Sequence, residues 1–265
     1  MCQAGLMTAP RVTSLYTTPV KGFALHSVDA VDTDANGAVG DRDFFMVDDE
    51  DTLISITRIG TFASWTASFD RDSDTLTISS ADGRTFEAPT PRGEPVTGQF
   101  FDDHSVEGHR IDGEWSAWLS DVAGQSVSLV RAADPGGAND EHPVTLLADE
   151  SVADLGRQAP AGSLDRRRFR MLVGFSGVEP YTEDTWNGRA MRIGSTELRV
   201  RGPVPRCNAT TRDPDTGVRD LKTLRLIEEH RGMTPNDFGE GLNLGVYADV
   251  ITPGRMCVGD ELTFS

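Results

Sequence analysis

The chain has 265 residues, enough for one large or two modest domains, and 37% of them are hydrophobic, so packed cores are expected. A formal charge of −17 argues against general binding to nucleic acid or to an anionic membrane. Three widely separated cysteines, Cys2, Cys207 and Cys257, form no C-x-x-C pair, which speaks against a zinc site or a dithiol redox couple.

In chain order, residues 1 to 9 read as a mobile leader, without the basic and apolar blocks of a secretory signal. Val12 to Tyr16 alternates polar and apolar residues, a strand pattern. Phe44 to Val47 and Leu53 to Ile56 are predicted as short apolar strands around the acidic turn Asp48 to Asp51. Thr75 to Ser79, the turn Ala81 to Arg84 and Thr85 to Ala88 form a hairpin signal. Gly113 to Ala123 is predicted helical, with Trp115, Trp118, Leu119 and Val122 on one apolar face, and Val127 to Val130 as the next strand. Asp134 to Asp140, rich in Pro and Gly, is the predicted linker. A short helix over Glu150 to Gly156 follows, then strands at Met171 to Phe175 and Glu197 to Val200. A helix over Leu221 to His230 stops at Gly232, and strands at Val246 to Ile251 and Met256 to Phe264 flank the Pro253-Gly254 turn. Many short strands with few helices predict a mainly β fold.

Charge is uneven along this series. Residues 157 to 212 hold eleven arginines against five acids, a balance that suits a phosphate-bearing or otherwise anionic ligand, the alternative being pairing with acids elsewhere. Only Lys21 and Lys222 are lysines, so Lys21 stands out in a chain that otherwise uses arginine. No apolar run approaches the ~18 residues of a membrane span. With its sparse cysteines, the protein is expected in a reducing cytoplasm, with no membrane or nucleic-acid partner.

The most informative segment is Gly202 to Gly217, where Cys207 lies beside Arg206 between a Pro-x-Pro entry and a polar turn. A thiol next to a guanidinium is a better nucleophile or metal ligand, and thiolate selects soft or high-valent metals. Glu183 and Asp184, before Trp186, fit an acid–base pair or, preferably, a surface turn. His142, before Pro143, reads as a loop histidine, with a proton-donor role as the alternative. Cys257 reads as a structural strand residue.

Six stretches occur in a recognisable order: Tyr16 to Gly22, Gly40 to Val47, Phe169-Arg170, Glu183 to Trp186, Arg206-Cys207 with Asp213 to Gly217, and Val258 to Asp260. Together they resemble the MOSC family, in the two-domain branch that includes the mitochondrial amidoxime-reducing component. The resemblance implies a mainly β (α+β) fold: an N-terminal β-barrel-like domain over residues 10–133, then a MOSC β-barrel domain over 140–265, with a few short helices. It implies a molybdenum cofactor of the molybdopterin form. Cys207 matches the cysteine that ligates the metal in the amidoxime reducers or carries sulfur in the sulfurases. Lys21 and Arg42 match residues assigned to the cofactor's phosphate and pterin end, and Arg58, Arg170 and Arg206 match further family arginines. Thr210 and Thr211 match the polar pair after the cysteine and fit hydroxyl donors or a structural turn equally. Gly22 stands in place of a serine, Met171-Leu172 in place of Pro-Asn, and Pro205 in place of a small polar residue.

The function implied is reduction of a small N-hydroxylated or N-oxide substrate by oxygen-atom transfer, with Cys207 as the catalytic ligand. The chain has neither a cysteine cluster nor a G-x-G-x-x-G opening a βαβ unit, so a separate flavin or iron–sulfur protein is expected to supply electrons. The alternatives are a sulfur carrier using a Cys207 persulfide and a non-catalytic cofactor carrier.

Overall fold

A computed structural model describes residues 9–101 and 104–264; Cys2 and all but the last residue of the expected leader lie outside them. Among the described residues strands dominate, with three α-helices, α1 (Trp115–Ala123), α2 (Asp149–Gly156) and α3 (Thr223–Arg231), as the strand-rich pattern predicts. No helix among the described residues is long and apolar enough to cross a membrane.

The largest element is an eight-stranded sheet that curls into a half-barrel. Its strands run in the order His26–Val28, Arg11–Thr17, Val173–Ser176, Val144–Ala148, Asn243–Thr252, Thr196–Pro205, Ala190–Ile193 and Leu262–Phe264. Arg11–Thr17 pairs antiparallel with Val173–Ser176, and Ala30–Asp34 pairs with Arg255–Cys257. The start of the chain is therefore woven into strands from its far end. Val12, Leu15, Leu146, Phe175, Leu198 and Val246 fill the interior of this sheet. On the opposite face α2 and α3 close over Leu147, Phe169, Met171, Val204 and Tyr247.

A second body is built on the four-stranded sheet Phe44–Val47, Ser128–Ala132, His104–Ile111, Arg92–Phe101. Both of its faces are covered. Phe44 and Met46 pack with Phe23, Trp65, Leu76 and Trp115, while Phe45 and Val47 pack with Val96, Phe100 and Val106. That explains why Phe44 to Val47 is continuously apolar where a half-exposed strand would alternate. Thr66–Asp70, Thr75–Ser79 and Thr85–Pro89 form a three-stranded sheet that includes the predicted hairpin. In α1, Trp115 and Leu119 are fully buried, and Gly124 ends it in the left-handed region at φ 67°.

One expectation is corrected here. Leu53 to Ile56 is not a strand: Leu53 makes one isolated bridge to Val47, and the Ser55 carbonyl accepts from Arg58 and Ile59 N–H groups, turning the chain. Its apolar residues instead plug two places, Ile54 entering the Phe23–Trp65 core while Leu53 and Ile56 line a cleft. Asp134 to Asp140 lies in the irregular connection between Ser128–Ala132 and Val144–Ala148 and is anchored to the first body. Gly136 N–H donates 2.8 Å to the buried Asp43 carboxylate, Ala138 N–H donates to the Arg42 carbonyl, and Ala138 is fully buried. The long hairpin Arg92–Phe101/His104–Ile111 has no counterpart among the predicted elements.

Candidate functional site

The strand Thr196–Pro205 delivers Cys207. Ala190–Ile193 pairs only with its first half, up to Arg199, so Pro203 and Pro205 lie where that side of the strand is an edge and no N–H is demanded. Arg206 N–H makes a last bond to the Leu242 carbonyl at 2.8 Å. Cys207 is extended (φ −118°, ψ 178°) and caps the 3₁₀ turn Asn208–Thr211, leaving its free thiol accessible. Within that turn the Thr210 hydroxyl donates to the Cys207 carbonyl at 3.0 Å and the Thr211 hydroxyl to the Asn208 carbonyl at 2.7 Å. Buried Thr223, the first residue of α3, donates to the Thr210 carbonyl at 2.8 Å and fixes the turn from behind. Thr210 and Thr211 thus hold the cysteine turn and do not line the cleft in front of it.

That cleft has a volume of about 550 Å³ and lies between the two bodies. Lys21, Arg42, Arg170, Arg206 and Cys207 all line it. Lys21 is positioned by its N–H bond to the Phe44 carbonyl at 2.8 Å, and Arg42 by its N–H bond to the Thr18 carbonyl at 2.7 Å. The Lys21 ammonium donates to the Ala138 carbonyl at 2.8 Å and to Asp140 Oδ1 at 2.6 Å, 4.9 Å above the Phe100 ring. Arg42 pairs with Asp41 and donates 3.1 Å to the Arg170 carbonyl, and Arg170 donates 2.7 Å to the Phe23 carbonyl. Arg206 donates to the Phe169 carbonyl and reaches the Met171 sulfur at 3.4 Å. The departure from Pro-Asn at 171–172 therefore places a soft thioether against this guanidinium.

Arg42 and Arg170 are both non-glycine residues in the left-handed region, at φ 52° and 54°. Such backbone persists only where the surroundings over-determine it, and it clusters at functional sites. Burial lowers the Lys21 ammonium below its ordinary range, with Asp140 opposing and Arg42 and Arg170 adding to the shift. Burial, then repulsion from Arg42, brings Arg170 down to about 10, and burial lowers Arg206 as well. Although the Asp140 side chain is 59% exposed, the protein around the cleft pushes its pKa up; Lys21 and then Arg42 outweigh this and hold the carboxyl below the usual range. Four cations thus crowd one cleft; Asp140 and Asp41 pair with Lys21 and Arg42, while Arg170 and Arg206 have no paired carboxylate among the described residues, an arrangement that suits an anionic ligand.

The other arginines of the 157–212 window divide. Arg166 pairs with Asp149, Arg167 with Asp165 and Asp215, Arg168 with Asp220 through two bonds, and Arg201 with Asp249. Arg170 and Arg206 are the cleft-lining members without a paired carboxylate among the described residues. Arg58 turns away to Asp48 at 2.8 Å and the Leu53 carbonyl and does not line the cleft. Glu183 is a correction. It is fully buried, not a surface-turn residue, and accepts from Ala148 N–H at 3.2 Å and the Ser151 hydroxyl at 2.8 Å, capping α2. Asp184 pairs with Arg231. His142, read as a loop residue, lines the cleft and bonds Asp249 at 2.6 Å. Asp140 escaped sequence reasoning because it lies in a segment that reads as linker; the charge of that segment was the available signal.

Among the described residues no group of three or more His, Cys, Asp or Glu side chains is arranged to hold a metal. Cys207 offers a single soft ligand, suited to a metal whose other ligands arrive with an anionic cofactor.

Comparison with known proteins agrees with this architecture. The MOSC N-terminal beta barrel domain model matches residues 9–126 and the MOSC domain model residues 133–263. The human mitochondrial amidoxime-reducing component 1 is 32% identical over 52% of this chain and 41% of its own length. The Mus musculus mitochondrial amidoxime-reducing component 1 is 26% identical over 95% of this chain and 81% of its own. A Caenorhabditis elegans molybdenum cofactor sulfurase is 24% identical over 87% of this chain and 33% of its own. The match to the human relative thus spans about two-fifths of that protein. With both domain models matched in order along nearly the whole chain, the protein belongs to the MOSC family, in the branch that carries an N-terminal MOSC barrel ahead of the MOSC domain.

Proposed function

We propose that the chain is a molybdenum-cofactor-dependent reductase that removes oxygen from N-hydroxylated compounds or N-oxides. The observation that carries this reading is the convergence of four cationic side chains on one accessible thiol, in a MOSC protein. The residues present fit the cofactor. Cys207 supplies a thiolate ligand, and Lys21, Arg42, Arg170 and Arg206 suit phosphate and pterin oxygens. Arg206 Nε is buried without a protein acceptor, a donor left over for a ligand. When bound, the cofactor supplies two-electron oxygen-atom transfer. The chain clamps the anion, keeps Lys21 and Asp140 as a fixed ion pair beside it, and narrows the cleft with Phe100, Leu53 and Val204. Electrons come from a separate flavin or iron–sulfur protein in the cytoplasm, and the net charge of −17 favours a donor with a basic face.

The test is protein made in a cofactor-competent host. We expect stoichiometric molybdenum and pterin, and turnover of hydroxylamine or an N-oxide with reduced methyl viologen but not with NADH alone. Cys207→Ser should abolish turnover while leaving the thermal transition intact, and Cys257→Ser should keep the activity. A Cys207→Ser protein working at the wild-type rate would sink the assignment. The exposure of the Cys207 thiol and the similarity to a sulfurase also support a second reading, a sulfur carrier. That reading expects a Cys207 persulfide by mass spectrometry and no molybdenum. Stoichiometric molybdenum with no turnover under any reductant would point to a carrier of the cofactor.

A further inference from the structure

His142 and Asp249 are 107 positions apart in sequence, yet the fold assembles them into a pair at the cleft. Val144 pairs with Ala248, so the residues just before Val144–Ala148 lie over the outer face of Asn243–Thr252, where Tyr247 and Asp249 project together. The His142 ring lies 5.3 Å from the Tyr247 ring, and its Nδ1 is 2.6 Å from Asp249 Oδ1. Arg201, on the neighbouring strand, donates to Asp249 Oδ2 at 2.6 Å. Both carboxylate oxygens are thus engaged, and the carboxyl is held below the usual range: burial opposes, and the bonds from His142 and Arg201 prevail. An ionised Asp249 requires Nδ1 to carry the hydrogen, which leaves Nε2 as the exchanging atom. Nε2 has no hydrogen-bond partner among the described residues, and His142 lines the same cleft as Cys207.

We propose that His142, oriented by Asp249, is the proton donor for the reduction carried out in this cleft. The proposal rests on the reductase reading above. Reduction of R–NHOH breaks the N–O bond, consumes two electrons from the donor protein and two protons, and releases R–NH₂ and water. His142 Nε2 gives one proton to the departing oxygen, and the other comes from solvent. The imidazole is then reprotonated through its exposed edge, 27% of its side chain. The other groups near the cleft serve less well. Arginines 42, 170, 201 and 206 hold their protons. The Tyr247 phenol is pushed far up by burial, with Asp140 adding to the shift. Asp140 is ionised, and the Lys21 ammonium is committed to Asp140 and the Ala138 carbonyl. Arg168 is paired with Asp220, and Glu141 and Glu240 are the other charged residues that line the cleft. Asp249 is a positioning residue that never touches substrate.

The experiment uses molybdenum-loaded full-length protein with hydroxylamine and reduced methyl viologen. It compares wild type, His142→Gln and Asp249→Asn across pH, with metal content and thermal transition measured alongside. His142→Gln should lower kcat about a hundredfold at unchanged metal content and remove the fall in kcat as pH rises. Asp249→Asn should lower kcat about tenfold and change its pH profile, because the carboxylate that orients the imidazole is gone. Imidazole ¹⁵N NMR of the metal-free protein should show His142 protonated at Nδ1 in the wild type and a mixture of tautomers in Asp249→Asn. If His142→Gln does not fold, the Asp249→Asn profile and the NMR decide. An active wild type with unchanged kcat and pH profile in the variants, or a His142 tautomer indifferent to Asp249, overturns this proposal alone. A fully loaded wild type without turnover overturns the reductase reading and this proposal with it.

Discussion

Glu183 shows how a single buried carboxyl sets a measurable property. It accepts from Ala148 and Ser151 through Oε1, while Oε2 is buried without a partner. Burial raises its pKa, and the bonds from Ser151 and Ala148 only partly oppose that rise. The folded state therefore holds this proton at pH values where the unfolded chain, near 4.3, has released it. Stability from this group is present at low pH and is lost as pH climbs through the folded pKa. Glu183→Gln keeps the acceptor and removes the ionisation. It should match wild type near pH 4 and exceed it in thermal transition at pH 8. Glu183→Ala strands the two donors and should cost about 1–3 kcal/mol at both pH values. Equal pH slopes in wild type and Glu183→Gln would refute the account.

At the scale of elements, the turn Asp213 to Gly217 aims the Cys207 loop by gripping the other body. Asp213 Oδ1 accepts from the Asp215 and Thr216 N–H groups, and Arg212 donates to the Gly217 carbonyl at 2.7 Å and the Thr57 carbonyl at 3.0 Å. Gly217, at φ 71°, approaches Gly60 so closely that a Cβ would lie 2.0 Å from the Gly60 carbonyl oxygen. Gly217→Ala should cost well over the ~1 kcal/mol of left-handed strain alone and lower the thermal transition by several degrees. Gly188, at φ 79° with nothing within 4 Å, is the control: Gly188→Ala should show only the smaller, conformational loss. Equal losses would mean the contact with Gly60 is immaterial. The sequence announces this turn through Asp-Pro-Asp-Thr-Gly, and it announces α1 and the Thr75–Ala88 hairpin through apolar spacing. It is silent on Gly60 as the partner, because nothing local marks a contact 157 positions away. The Arg92–Phe101/His104–Ile111 hairpin is hidden for a related reason. Charged residues such as Glu94, Glu107 and Arg110 crowd its outward positions, and its stability comes from Phe45 and Val130 packing beneath it. The burial of Glu183 and the pairings of His142 and Asp140 are not legible locally, since each has partners 32 or more positions distant.

The molecule as a whole places the cleft where the two bodies meet, with Lys21 and Arg42 on one wall and Arg170, Arg206 and Cys207 on the other. Ligand sites commonly form at such junctions, and here the junction holds two guanidinium groups, Arg170 and Arg206, without a paired carboxylate among the described residues. Lys21 separates ligand binding from stability. Its side chain is only 11% exposed, whereas that of its partner Asp140 is 59% exposed. Lys21→Met removes a desolvated ammonium, keeps the apolar stem over Phe100, and leaves a carboxylate that water can reach. The thermal transition of metal-free Lys21→Met should therefore stay within a few degrees of wild type. Retention of an anionic cofactor loses one of four cations and gains an unshielded Asp140, so molybdenum and pterin per chain after gel filtration should fall severalfold. The deficit should grow with ionic strength, as the remaining clamp is screened. Wild-type cofactor content in Lys21→Met would remove Lys21 from the anion clamp. A loss of stability as large as the loss of cofactor would make it a structural tie between the two bodies.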